Sequence, residues 1–322
     1  MSPHDTFPGE WLVLVNPNAG RRKGEKDWAE ISQLLVQAGI PFRAVFTHHR
    51  DHASRLSTEY LRKGFRKFIV VGGDGTLNEV VNGLLNQQEV DPLRTCIGMV
   101  PVGTGNDWCR FHKIPLDYQG AVDVLKNGRC MLHDVGRISM SAVDRFFINM
   151  AGLGYDGLVA QKTNEQKDQG KGGPFSYMFN LIASLFSYRL IDARISLDGE
   201  HINTRLFSLS VGICRYNGGG MMQAPHALPD DGLLDLTVIK KLSKLSVIRN
   251  VPKLFDGSFT RLPMVFTGQG KNIDIQALGL LIEADGESVG ETPCSIGILA
   301  EAINVISGTK DQPLSPGSDS PA

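Results

Sequence analysis

FIVVGGDGTLNEVVNGLL, residues 68–85, joins two opposite hydrophobic periods at a run of glycines. FIVV is a continuous apolar run, the mark of a strand buried on both faces. Leu77, Val80, Val81, Leu84 and Leu85 then recur at helical spacing, so an amphipathic helix begins as soon as the glycines end. In a parallel sheet this junction directs backbone N–H groups and the positive end of a helix at an anion. The loop fits neither the dinucleotide pattern GxGxxG nor the P-loop GxxxxGK[ST]. Instead Asp74 stands among the glycines. A carboxylate beside a phosphate is repulsive unless a cation lies between them, so Asp74 points to a magnesium-bound nucleotide. The alternative is a glycine-rich turn with Asp74 as helix cap.

Two further loops repeat the logic. GMVPVGTGNDWCR (98–110) places Gly103-Thr104-Gly105-Asn106-Asp107 after the next apolar strand, and Asn16-Pro17-Asn18-Ala19-Gly20 follows WLVLV (11–15). Arg21, Arg22 and Lys23 come next, either as a counter-charge for a triphosphate or as a solvated loop. Between these loops, helical patterns at 28–38, 52–63, 76–85 and 117–126 alternate with strands at 42–47, 68–71 and 96–102. That alternation predicts a parallel sheet with helices on both faces. From about residue 130 the pattern turns strand-rich (130–138, 145–151, 191–197, 201–213, 233–239, 262–266, 271–275, 279–284 and 294–306), with helices near 156–166, 174–188 and 243–255. This predicts a mostly antiparallel β-sandwich. The expected organisation is an α/β nucleotide domain at 1–130, a β-rich substrate and metal domain at 131–308, and a disordered tail at 309–322. Segment 300–310 is a candidate return to the first domain.

The 322 residues favour two domains over one. A net charge of −1 gives no global signal for nucleic acid. Five scattered cysteines with no CxxC argue for a reducing compartment and against a zinc site. MSPHDTFPGE has neither a basic nor an apolar region, so no signal peptide is expected. FSYMFNLIASLFSY (175–188) is about a third too short for a bilayer span and reads as a buried helix.

NPNAG, GGDGTLNEVVNGL, PVGTGND, NMAGLGYD (149–156) and a terminal DGE, in this order over residues 11 to 306, resemble the diacylglycerol kinase catalytic-domain superfamily, which includes bacterial soluble diacylglycerol kinases and sphingosine and ceramide kinases. NAD kinases share GGDGT but lack the GTGND and DGE combination. The resemblance implies a phosphofructokinase-like α/β domain joined to a β-sandwich, with ATP in the cleft between them. It implies nucleotide contacts from Gly72, Gly73, Asp74, Gly75, Thr76, Leu77, Asn78 and Thr104, and from Thr47 at a strand end, with Asn16 and Arg21 near the phosphates. Asp74, Asp107 and Asp134 match acidic positions that organise Mg2+ and its waters. ALPDDGLLDL (227–236) matches a structural magnesium segment, carried over to the Leu228 and Leu233 carbonyls and the Asp231 carboxylate; without the family, Asp231-Gly232 reads as a turn. Gly157 and Arg21 depart from the commoner Ala and Lys.

DGE occurs twice. Asp198-Gly199-Glu200 lies between two alternating β runs and reads as a type I′ hairpin. Asp285-Gly286-Glu287 is followed by a Gly- and Pro-containing stretch that reads as loop, and it matches the family's catalytic acid pair. Phosphoryl transfer needs an acceptor for the hydroxyl proton, here Glu287 or Asp285, with the other orienting. Helix 174–188 and YNGGGMMQAP (216–225) are candidates to line a lipid pocket, or simply core. The expectation is an ATP- and magnesium-dependent lipid kinase, cytoplasmic and transiently membrane-associated, acting on diacylglycerol or a related lipid alcohol at a membrane surface. It has no transmembrane segment or nucleic-acid partner, and a homodimer is compatible with it. The alternatives are an NAD-kinase-like enzyme acting on a soluble metabolite and a regulatory protein without turnover.

Overall fold

The computed structural model describes residues 9–141, 144–168 and 176–308. The chain divides into two compact units, Val135–Ala300 and the residues flanking it on either side, and it passes between them within two of its strands.

The first unit runs β1 (Trp11–Val15), α1 (Ala19–Lys26), α2 (Trp28–Gln37), β2 (Phe42–Phe46), α3 (His52–Arg62), β3 (Lys67–Gly72), α4 (Asp74–Asn86), β4 (Cys96–Pro101), α5 (Asp107–Phe111), α6 (Tyr118–Asn127) and the start of β5 (Arg129–Ser139). Its strands are parallel in the order β2-β1-β3-β4. The end of the last strand, β15 (Cys294–Ser307), joins β4 through Asn304 and Val305. Every residue of β1, β3 and β4 is buried. Successive side chains point to opposite faces, so both faces of this sheet are covered. Helix α3 packs on α4, and α2 on α6. The first of these contacts is close because Gly83 has no side chain: a Cβ there would lie 2.1 Å from Ser57 Oγ and 2.2 Å from the Ser54 carbonyl oxygen. Helix α1 is not foreshadowed by any apolar period. Gly20, Arg21 and Arg22 hold φ of 59°, 60° and 67°, so its first turn is not helical.

The second unit contains the rest of β5, then β6 (Asp144–Phe147), β7 (Met150–Gly154), α7 (Tyr155–Asp168), α8 (Ser176–Ser187), β8 (Ile191–Leu197), β9 (Glu200–Gly212), β10 (Leu234–Lys240), α9 (Lys244–Asn250), β11 (Val265–Gly270), β12 (Asn272–Gln276), β13 (Leu281–Ala284), β14 (Glu287–Glu291) and the start of β15. Among the described residues its hairpins and neighbouring strands pair antiparallel, β5 with β6 included. One run is β14-β13-β7-β9-β10-β11 and the other is β9-β8-β12-β15, so β9 belongs to both. The alternating burial of β8 and β12 turns Ala193, Ile195, Ile273 and Ile275 inward, where they form one core with Leu153, Leu209, Leu236 and Ile282. This is the β-sandwich.

Two expectations need correction. The stretch after Asp285-Gly286 is not a loop. Ala284 pairs with Glu287 across a two-residue turn, and β14 continues to Glu291. Helix α8 is not buried all round: Leu181 and Leu185 are buried, while Phe179 and Phe186 are exposed. Phe175 and the tail 309–322 lie outside the described residues.

Candidate active site

In the first unit the candidate residues converge at the carboxyl ends of the parallel strands. The Asn16 N–H donates to the Val71 carbonyl at 2.9 Å, Thr47 N–H to Val15 at 2.9 Å, and Val102 N–H to Gly72 at 2.9 Å. The Asn16 side-chain amide donates to Thr76 Oγ1 at 2.9 Å. These bonds tie the three glycine-bearing loops and Thr47 into one surface. The glycines are required by proximity. A Cβ on Gly103 would sit 2.6 Å from Gly73 Cα, and one on Gly20 would sit 1.8 Å from the Val102 carbonyl oxygen.

Asp74 is the first residue of α4. Its Oδ2 accepts from the Asp107 N–H and its Oδ1 from the Trp108 N–H, each at 3.2 Å. A Cβ on Gly105 would lie 3.2 Å from Asp74 Oδ2 and 3.6 Å from Asp107 Oδ2, so the two carboxylates approach the same spot. Hard oxygen donors beside a glycine cradle suit a magnesium ion bridging to phosphate. Arg110 Nε lies 3.7 Å from Asp107 Oδ1. Behind this pair, Trp108 Nε1–H donates to His133 Nε2 at 3.3 Å, which leaves the proton on Nδ1, 2.6 Å from the Asp134 carbonyl oxygen. The buried Asp134 carboxylate accepts from the Glu301 N–H at 2.6 Å. The link from Asp134 to Asp74 thus runs through the Asp134 backbone carbonyl, His133 and Trp108, while the contact shown for the Asp134 carboxylate is with the Glu301 N–H.

The other nucleotide candidates divide. Thr104 and Arg21 are exposed at the loop surface, and Gly75 opens α4 beside Asp74. Leu77 is wholly buried, and its N–H already donates to Gly73 at 3.1 Å. Asn78 is also buried, its Oδ1 accepting from Asn82 at 3.1 Å. The left-handed backbone at Arg21 and Arg22 is costly for residues with a Cβ, and this strain sits in the loop beside the glycine cradle.

In the second unit both DGE copies are two-residue hairpin turns. Asp198 and Gly199 have φ of 46° and 93°, Asp285 and Gly286 have φ of 49° and 83°, the signature of a type I′ turn. Their surroundings differ. Asp198 is exposed and accepts from the Lys271 and Asn272 N–H groups. Asp285 is buried: its Oδ2 accepts from Ile148 N–H and its Oδ1 from Asn149 and Met150 N–H, all at 2.9 Å. Three backbone donors occupy its oxygens, so Asp285 clamps the turn to the entrance of β7. Glu287 follows the turn and is half-buried.

Beneath the turn runs a polar network that sequence reasoning missed. The Gly286 N–H donates to Glu283 Oε2 at 2.7 Å, and Asn217 Nδ2 donates to Glu283 Oε1 at 3.2 Å. Asn217 also reaches Gln223, which accepts from Ser210 Oγ. Ser208 and Ser210 both donate to Asp156 Oδ2, at 2.7 and 3.2 Å. Burial pushes the Glu283 carboxyl up to about 8, with the charges of Asp156 and Asp285 acting the same way against its N–H donors. Burial likewise raises Asp156 to about 6, opposed by the two serine hydroxyls. The only sequence signals were an acid after the glycines of NMAGLGYD and an acid inside the apolar run LLIEA.

Asp156, Ser208, Ser210 and Gln223 line a cavity of about 60 Å³ whose other walls, apart from Asn250, are apolar, among them Leu181, Val247 and Leu254. Met221 packs in the apolar cluster with Tyr155, Leu181 and Phe207. Elsewhere in this unit, Asp231 Oδ1 accepts from the Leu233 N–H at 3.0 Å across Gly232, whose φ is 72°. This turn brings the Asp231 carboxylate and the Leu233 backbone together, with Leu228 nearby in sequence.

A family model described as the diacylglycerol kinase catalytic domain matches residues 10–138, and one described as the YegS C-terminal NAD kinase beta sandwich-like domain matches 149–307. The diacylglycerol kinase of Staphylococcus aureus (strain bovine RF122 / ET3-1) is 30% identical over 295 residues, 91% of this chain and 90% of that protein. That of Staphylococcus carnosus (strain TM300) is 29% identical over 294 residues, 91% of this chain and 93% of that one. A crystal structure of a diacylglycerol kinase from Bacillus anthracis shares the fold, with a TM-score of 0.71 at 24% identity over 92% of this chain and 96% of that one. The glycine-bearing loops, the two matching domain models and these relatives together assign the chain to the diacylglycerol kinase family, a family of lipid kinases that use ATP.

Proposed function

We propose that the protein transfers the γ-phosphoryl group of magnesium-bound ATP to the hydroxyl of a lipid alcohol presented at a membrane surface, diacylglycerol or a close relative. The observation that carries the lipid acceptor is the cavity, mostly apolar along its walls and with Asp156, Ser208, Ser210 and Gln223 clustered in its lining. The cavity volume of about 60 Å³ holds only a few methylenes beside the polar group of an amphipathic alcohol, for which the buried carboxylate and two hydroxyls are suited. A longer chain would have to extend out of it or widen it. A nucleotide acceptor, as in the NAD-kinase-like alternative, would leave its phosphates against apolar walls at a cost of several kcal/mol.

The donor would rest on the glycine cradle of Gly72, Gly73, Gly75 and Gly103, with contacts from Thr47, Thr76, Thr104 and Asn16, and with Arg21 as counter-charge. Asp74 and Asp107 would hold Mg2+, supported from behind by Asp134. The ion would draw charge from the phosphate oxygens. In the transfer, the acceptor oxygen bonds to the γ-phosphorus as the bond to the β–γ bridging oxygen breaks, and the hydroxyl proton passes to Glu287. Asp285, its oxygens engaged by backbone donors, positions Glu287. A structural magnesium at the Leu228 and Leu233 carbonyls and Asp231 is a second proposal, to be tested by whether EDTA lowers the melting temperature.

The test of the main reading is incubation with ATP and total membrane lipids, followed by mass spectrometry. A phosphorylated lipid alcohol is the expected product. Phosphorylation of a soluble metabolite alone, or of nothing, would sink the reading.

A further inference from the structure

The helices that wall the apolar cavity also carry an apolar surface on their outer side. In α8, Leu181 faces the cavity, while Phe179 and Phe186 are 67% and 65% exposed. Those two phenylalanines are seven residues apart and share one face of the helix. In and after α9, Val247 and Leu254 face the cavity, while Leu245, Ile248 and Phe255 are 75%, 47% and 45% exposed. Leu245 and Ile248, three apart, also share a face. The two patches adjoin: Lys244 Nζ donates to the Phe186 carbonyl at 2.9 Å and lies 5.3 Å from the Phe186 ring centroid. Large apolar side chains clustered at a surface are a liability for a freely tumbling protein and mark a binding face.

Charge identifies the occupant. Residues 240–261 carry Lys240, Lys241, Lys244, Arg249, Lys253 and Arg261 against a single acid, Asp256, giving 6 − 1 = +5 in a chain whose net charge is −1. Helix α8 carries no charge at all. Exposed phenylalanines and leucines bordered by lysine and arginine match the depth profile of a bilayer whose headgroups are anionic, with apolar side chains below the headgroups and cations level with the phosphates. The same helices form the cavity wall, so this face is the outer side of the elements against which a lipid chain would lie.

We propose that the face made by Phe179, Phe186, Leu245, Ile248 and Phe255 with the cations of residues 240–261 docks the protein onto an anionic phospholipid bilayer. The inference rests on the lipid-acceptor reading for its purpose, but it is testable apart from it. None of the five apolar residues lines the cavity or belongs to the proposed transfer machinery.

The test is co-sedimentation with vesicles of phosphatidylglycerol and phosphatidylcholine in equal parts, and of phosphatidylcholine alone, without ATP. Activity is measured in parallel on a short-chain diacylglycerol below its aggregation limit. The wild type is expected to bind the anionic vesicles and to release them in high salt. Each cation at an anionic surface is worth about fivefold in partition, so Lys244→Gln, Arg249→Gln and Lys253→Gln together should weaken binding on the order of 100-fold. Leu245→Ser with Phe255→Ser should weaken it at least about tenfold, leaving turnover of the short-chain acceptor within about twofold. Unchanged vesicle binding in both variants would overturn the proposal. So would a wild type that ignores anionic vesicles, or one whose apolar variant instead turns a dimer into a monomer. Wild-type protein that binds vesicles but leaves the short-chain acceptor untouched would uphold the docking face while striking the lipid-kinase reading.

Discussion

Gly73 and Gly103 sit backbone to backbone: a Cβ added to Gly103 would fall 2.6 Å from Gly73 Cα and 2.7 Å from Asn106 Oδ1. Two strand-end loops meet there with no room for a side chain. Gly103→Ala must push the GGDGT and GTGND loops apart, at a cost of about 1–3 kcal/mol in stability. The larger effect should fall on the donor, because displaced backbone N–H groups cannot close on a phosphate. ATP affinity measured by calorimetry should drop at least about tenfold, and an unchanged affinity would show that these loops do not form the nucleotide cradle.

Asp74 serves two demands at once, accepting from the N–H groups that open α5 and lying beside Asp107. Asp74→Asn keeps one acceptor oxygen for those N–H groups, so its melting temperature should change little, by the equivalent of about 1 kcal/mol. Removing one of two negative charges should raise the magnesium concentration for half-maximal activity about 10–100-fold. A magnesium titration that superimposes on wild type would remove Asp74 from the metal site.

The two acids of the turn should separate cleanly under mutation. Asp285→Asn sets an amide N–H against backbone donors from Ile148, Asn149 and Met150 and should cost about 1–3 kcal/mol of folding stability. Glu287→Gln should leave the melting curve near wild type and reduce kcat about 10²–10⁴-fold, with ATP binding retained. If Glu287→Gln turns over normally while a folded Asp285→Asn does not, the roles are reversed.

Much of the first unit was legible because its signals are local. FIVV, the glycines and the heptad-like leucines of 68–85 specify strand, turn and helix with no distant partner needed. The second unit was legible as strands but not at its site. Asp198-Gly199 and Asp285-Gly286 have the same backbone, and only the partners 135 to 137 residues away make the second one buried. Strand β14 reads as loop in the sequence because Gly290 and Pro293 weaken its propensity, yet pairing with β13 imposes it despite a register shift at Ile282 and Glu283. Asp156 and Glu283 carry no motif of their own. Their meaning comes from Ser208, Ser210, Asn217 and Gln223, brought together only by the sandwich.

Glu283 makes the stability of the second unit depend on pH in an unusual direction. Its carboxyl sits at about 8 in the folded protein against 4.5 for an ordinary glutamate, so between those values the folded state holds a proton that the unfolded state has released. Stability is then full below pH 4.5 and is lost as pH rises through about 8, a loss on the order of 3–5 kcal/mol. Asp156, raised from 3.8 to about 6, adds a smaller loss of the same sign at lower pH. Most globular proteins gain stability over the acidic part of this range because paired carboxylates ionise. Here the melting temperature should fall as pH is raised from 6 to 9. Glu283→Gln removes the titrating group while keeping an acceptor for the Gly286 N–H. It should start lower by about 1 kcal/mol for the disturbed Asn217 contact, but its melting temperature should be nearly flat across the range, closing on or passing wild type at pH 9. Parallel melting profiles for the two proteins would mean that Glu283 is ionised in the folded state, and that Gly286 and Asn217 compensate its burial in full.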